Sequence, residues 1–109
     1  MITLASGLSY LDLHFYGVKG VIASVILHGP GGAAIIDPGP SSTLPALRAG
    51  LDHAGIPLGE VRTILSAKDY LLSELTGLRL TEPSTAAGFG IYNQPDGSWK
   101  AELRDALFR

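Results

Sequence analysis

The chain of 109 residues is the length of one domain and too short to divide its apolar residues between two cores. Apolar residues make up 46% of it and charged residues 17%, against an ordinary charged share of about 25%, and this excess of apolar surface predicts a homo-oligomer, in the simplest case a dimer. A net charge of -2 with eight scattered Lys and Arg argues against nucleic acid as a partner, and the lack of cysteine removes disulfides, thiolate metal sites and thiol nucleophiles.

Met1 to Ser6 carries no basic n-region of a signal peptide, and the longest apolar run, Val21 to Leu27, is far short of the ~20 residues that span a bilayer. A soluble, cytoplasmic protein with no membrane partner is expected. Leu11, Leu13 and Phe15 alternate with Asp12, His14 and Tyr16, the period-2 pattern of a half-buried strand bounded by Gly17 and Gly20. Val21 to His28 predicts a second strand, Gly29-Pro30-Gly31-Gly32 a turn, and Ala33 to Ile36 a third strand paired antiparallel with the second. Asp37-Pro38-Gly39-Pro40 ends that strand. Ser41, Ser42 or Thr43 is expected to cap a helix with Pro45 in its first turn, Leu44, Leu47, Leu51 and Ala54 on one face, and Gly55 as its left-handed terminus.

Val61 to Leu65 reads as a buried strand that completes a βαβ unit, so the third and fourth strands should be parallel. Ser66 and Asp69 have capping-box spacing and open a helix with Ala67, Leu71, Leu75 and Leu78 as its apolar positions and Gly77 as its stop. The fold class predicted is α+β (mixed α/β): a small mixed sheet with an antiparallel hairpin and one βαβ unit, packed by two or three helices in a single domain over residues 1–109. Arg79 to Thr81 predicts a brief extended piece, Glu82 to Thr85 a loop or helix start, Gly88 to Tyr92 an extended stretch, and Asn93 to Gly97 a turn. Ser98 is expected to cap a last helix carrying Trp99, Leu103, Ala106 and Leu107 on one side.

The succession Val25-Ile26-Leu27, Ala34-Ile35-Ile36-Asp37-Pro38-Gly39-Pro40, a leucine-bearing helix, Ala54-Gly55-Ile56 and Val61-Arg62-Thr63-Ile64-Leu65 resembles the N-terminal part of metallo-β-lactamase-fold hydrolases, over residues 8 to 65. In that family the next residues form Thr-His-x-His-x-Asp-His, whose side chains hold one or two metal ions that activate water. Here they read Ser66-Ala67-Lys68-Asp69-Tyr70-Leu71-Leu72, without a histidine, and Lys68 would set a cation beside the ion. The resemblance therefore implies a scaffold without metal ligands. Asp37 resembles the family's strand-end Asp, but with those ligands gone it is expected to serve as a turn and cap carboxylate. His14, His28 and His53 share no short ligand spacing and are expected to be surface or cap residues.

Residues 66 to 109 resemble a second family, the FGGY carbohydrate kinases. The resemblance is carried by Ser66-Ala67-Lys68-Asp69-Tyr70-Leu71-Leu72, Leu75-Thr76-Gly77, Thr81-Glu82-Pro83-Ser84-Thr85-Ala86, Gly90-Ile91-Tyr92, Gly97-Ser98-Trp99 and Glu102-Leu103. It implies a segment of the sugar-side domain of an actin-like kinase. Phosphoryl transfer needs a phosphate cradle, a metal site and a base, and no Gly-rich phosphate loop followed by Lys occurs in this chain. Thr63-Ile64-Leu65-Ser66 suits either parent, which predicts a recombined polypeptide, natural or engineered. No catalytic residue, metal ligand or cofactor is assigned. Two alternatives remain: a metal-dependent hydrolase remnant improvised from Asp37 and histidines, and a weak sugar- or phosphate-binding module at Glu82 to Thr85. The helices at 66 to 76 and 99 to 107, or a second copy, are expected to cover the front sheet.

Overall fold

A computed structural model of the chain describes residues 1–82, 85, 92–93 and 95–99. Its centre is a five-stranded sheet in the order β1-β2-β3-β4-β5, formed by β1 (Ile2–Ala5), β2 (Leu8–Asp12), β3 (Ala23–Gly29), β4 (Gly32–Ile36) and β5 (Val61–Leu65). The first four strands pair antiparallel and β4 pairs parallel with β5, so the sheet is mixed and the fold is α+β. Gly29 pairs with Gly32 across the predicted turn, leaving Pro30 and Gly31 as its two-residue loop. β1 has no counterpart in the expectations. Its four residues are all exposed, so no buried apolar face marks the strand in the sequence.

The helix α1 (Leu44–His53) joins β4 to β5 and lies over one face of the sheet. Leu47 and Leu51 of α1 and Ile56 after it form one core with Leu11, Leu13, Ile26, Ala33 and Ile35. Burying a leucine of this kind stabilises a fold by about 1.5–3 kcal/mol. Gly55 takes φ 70 at the helix end, as the left-handed terminus requires. The helix start differs from expectation. Residues Ser41–Thr43 form a 3-10 turn, and the Thr43 hydroxyl donates to Pro40 O at 2.8 Å instead of accepting from the helix.

The β2 strand also ends earlier than the alternation predicts. Asp12 accepts hydrogen bonds from the backbone N–H groups of His14 at 3.0 Å and Gly20 at 2.8 Å, which folds the chain out of the sheet. His14 accordingly has φ 48, and Phe15–Gly17 is a 3-10 turn. Leu13 still reaches the core because its N–H donates to Ile22 O at 2.9 Å.

Between β4 and β5 the register steps from Ala33 opposite Val61 to Ala34 opposite Thr63, so Arg62 is the extra residue of a bulge. A second irregularity interrupts β1 between Thr3 and Ala5. The Arg62 bulge lets both Val61 and Ile64 pack against the α1 core, although they are three positions apart.

The helix α2 (Ala67–Thr76) begins directly after β5, with Ser66 Oγ accepting from Asp69 N at 3.1 Å, and Gly77 closes it at φ 71. Its orientation corrects the expected apolar stripe. Asp69 is buried and Tyr70 and Ser73 are half-buried, whereas Leu71, Leu72 and Leu75 are 59%, 45% and 74% exposed. Leu78, just beyond, is exposed as well. Tyr92–Asn93 (β6) and Ser98–Trp99 (β7) pair antiparallel around the expected turn, so Ser98 lies in a strand and does not start a helix. The rest of the expected last helix, with Leu103, Ala106 and Leu107, lies outside the described residues, as do Pro83, Ser84, most of the extended stretch 88–92 and Gln94. No helix among the described residues is long and apolar enough to cross a membrane.

Candidate functional site

Because β2, β4 and β5 run in the same direction, their C-terminal ends meet at one rim of the sheet. Side chains there could act together, and open α/β sheets commonly bind ligands at such a rim. The rim holds His14 after β2, Asp37 after β4, and Ser66 to Lys68 after β5.

Asp37 sits at φ 54, a left-handed conformation that Asp tolerates better than most residues. Its N–H donates to Leu65 O at 2.8 Å and its Oδ1 accepts from Ala67 N at 2.9 Å. The carboxylate therefore satisfies a first-turn N–H of α2 and ties the β4 exit to the β5 exit. This is the expected turn and cap role, and the helix it serves is α2. If that is its work, Asp37→Asn should keep stability within about 0.5 kcal/mol, since Asn retains both the acceptor and the tolerance of positive φ. Asp37→Ala should lower it by about 1–2 kcal/mol. Urea unfolding of the two variants checks this, and equal losses would remove the cap assignment.

Lys68 and Asp69 follow. Lys68 Nζ lies 2.8 Å from the buried Oδ1 of Asp69, out of line for a hydrogen bond but close enough to neutralise it, and 3.6 Å from Glu82 Oε1. The Thr81 hydroxyl donates to Asp69 Oδ2 at 2.7 Å. Burial raises the Asp69 pKa, but Lys68, Thr81 and Ser66 outweigh it and hold the carboxyl below its usual value. Asp69 in turn raises Lys68. A carboxyl depressed on folding contributes stability in full above its unfolded pKa and loses it as pH falls through the folded value. Urea midpoints of the native protein and Asp69→Asn should therefore differ at neutral pH and converge under acid conditions below the usual carboxylate range. A constant gap would show that the carboxylate charge contributes nothing.

The histidines do not gather. His14 lies at this rim, 4.0 Å from Asp12 Oδ2, where the two backbone donors from His14 and Gly20 hold the Asp12 carboxyl below its usual value. His28 lies at the opposite end of β3, with Nε2 3.3 Å from Glu60 Oε2. Five residue steps along β3 separate it from Ala23, the partner of Asp12, a span of about 17 Å at the strand rise. His53 closes α1. Among the described residues no three His, Cys, Asp or Glu side chains are grouped to hold a metal ion. Asp37 is engaged by α2, and Lys68 brings positive charge to the rim. The donor set there does not fit the di-metal centre that the resemblance implies for the hydrolase family.

Glu82, the expected polyol contact, accepts from Thr85 N at 2.8 Å and from the Thr85 hydroxyl, so it caps a local turn. Ser84 lies outside the described residues. Thr81 escaped the sequence reading because only the folded chain brings it to Asp69, twelve residues away.

The mixed sheet carries one βαβ unit, and β2, β4 and β5 end at one rim. Among solved structures the chain is similar to a metallo-β-lactamase from Cronobacter sakazakii (Enterobacter sakazakii), a mutant of its HARLDQ motif, with a TM-score of 0.52 and 23% identity. The match covers 61% of this chain and 24% of that one, and at this identity it is a likeness of fold. No protein-family model matches the chain, and no curated protein matches it. No carbohydrate kinase is among the matches.

Proposed function

We propose that the protein is a single folded unit without catalysis of its own, recombined from a metallo-β-lactamase-like segment (residues 1–65) and a carbohydrate-kinase-like segment (66–109), and that its working property is self-association as a dimer. The observation that carries this reading is the outward leucine face of α2, where Leu71 and Leu75 are 59% and 74% exposed, continued just beyond the helix by Leu78 at 57%. An amphipathic helix normally turns such a stripe to the core. Here the polar side, Asp69 and Ser73, faces inward, and a second copy laid on the leucines would cover them. The recombined origin is supported by the two unlike resemblances that meet at Leu65-Ser66 and by the fold likeness, which reaches 61% of the chain.

Size-exclusion chromatography with light scattering, run from high to low concentration, tests the assembly. A dimer that dissociates on dilution is expected, and a monomer throughout would overturn the reading. The lack of catalysis is tested by elemental analysis of protein purified without chelator, combined with ester, amide and nucleotide hydrolysis assays. Stoichiometric zinc, iron or manganese together with turnover would replace this reading by the alternative of a hydrolase remnant. That alternative draws on the fold likeness and on His14 and Asp37 sharing a rim. The remaining alternative, a weak sugar-binding module, is tested by calorimetric titration with polyols.

A further inference from the structure

We propose that the groove at the hairpin end of the sheet, opposite the rim described above, is an oxyanion site that takes a phosphomonoester with a small apolar body. The groove is shallow and open to solvent, holds about 430 Å³, and is lined by Arg62, Arg79, Thr63 and His28, with Leu27 and Ala34 as apolar surface.

Two observations place the charge. Arg62 is the extra residue of the β5 bulge, and a bulge re-aims the side chain it carries. Its stem lies across Gly32: a Cβ added there would stand 2.8 Å from Arg62 Cγ and 2.6 Å from Glu60 O. Gly32, at φ 108, thus keeps the turn open for the arginine. The second observation is that both guanidiniums lack a carboxylate partner among the described residues. Glu60, on the strand approach next to Arg62, is turned to His28. Glu74 lines the adjoining groove with Arg79 but makes no ion pair with it.

In a chain of net charge -2, two arginines on one concavity with no carboxylate partner among the described residues form a local positive field that the composition does not reveal. A guanidinium binds phosphate oxygens in a bidentate fork, and two of them balance a phosphate dianion. The Thr63 hydroxyl adds a donor, while Leu27 and Ala34 offer contact to the esterified group. Arg62 precedes the Leu65-Ser66 junction and Arg79 follows it, so the site is created by the joined chain. It does not depend on the chain's assembly or on its lack of catalysis.

The test is a ¹H–¹⁵N titration of the full chain at low ionic strength with phenyl phosphate, inorganic phosphate and phenol. Phenyl phosphate is expected to shift the amides of Gly32, Arg62 and Thr63 saturably, with inorganic phosphate weaker and phenol inert. The double variant Arg62→Gln with Arg79→Gln should weaken binding by about tenfold or more. Arg48→Gln on the exposed side of α1 should leave it unchanged. Arg79→Gln alone, an exposed position after α2, should weaken binding measurably even if the double variant is destabilised. The proposal is overturned by the absence of saturable shifts, by unchanged affinity in Arg79→Gln, or by an equal loss in Arg48→Gln.

Discussion

Replacing Leu71 and Leu75 together by lysine is expected to yield a monomer at concentrations where the dimer proposed above would be populated by the native chain. Both side chains are mostly exposed in one copy of the chain, so their loss removes little from its core. Lysine is about as good a helix former as leucine, and exposed substitutions of this kind generally shift stability by about 0.5 kcal/mol or less. In an assembled pair the same positions would be desolvated, and each lysine would have to bury or redirect a charge against its counterpart. Losing about 3 kcal/mol across the interface raises the dissociation constant by roughly a hundredfold. Sedimentation equilibrium should then report the mass of one chain for the double variant, with an unchanged far-ultraviolet circular dichroism spectrum. A variant that stays as large as the native protein would place the interface on another surface.

Leu51→Ala is expected to cause the largest loss of folding stability, about 2–5 kcal/mol. Leu51 is 0% exposed, and its carbonyl also accepts from Ile56 N at 2.9 Å, which turns the chain from α1 back toward β5. Its side chain belongs to the core with Leu11, Leu13, Ile26 and Ile35, and truncation leaves a void beneath the helix. Small domains are stable by about 0.05–0.15 kcal/mol per residue, so a loss of this size is a large fraction of the whole. Leu44→Ala, in the exposed first turn of the same helix, should cost under about 1 kcal/mol and serves as the control. Urea denaturation compares the two. Equal midpoints would mean that α1 does not close the core.

The βαβ unit was legible because its signals are local. The Gly29 to Gly32 turn, the Gly55 terminus and the Leu47 and Leu51 positions each depend on residues within a few places of one another, and the structure contains all of them. Long-range contacts defeated the rest. The strand through Phe15 stops at Asp12 because a carboxylate finds the N–H of Gly20, a partner that alternation does not encode. Helix α2 was expected to bury its leucines; instead the pairing of Asp69 with Lys68 and Thr81 holds its polar side inward. Periodicity finds the stripe but not which way it turns. At the candidate rim the sequence correctly marked Asp37 as a turn and cap carboxylate, whereas its partner, Ala67 N, lies thirty residues away. Arg62 read as an ordinary strand residue because a bulge has no signature in composition.

The irregular registers at the two flanks of the sheet have a consequence for aggregation. Among the described residues β1 and β5 are the members of the five-stranded sheet with a neighbour on one side alone, and each carries a break in its pairing. A foreign β-segment docking on either flank would meet displaced amides and carbonyls, and on β5 a guanidinium as well, so lateral growth into fibrils is discouraged. Misaligned backbone at these borders, beside the uncovered leucines of α2, would steer the dimer proposed above toward a closed pair and away from an endless stack.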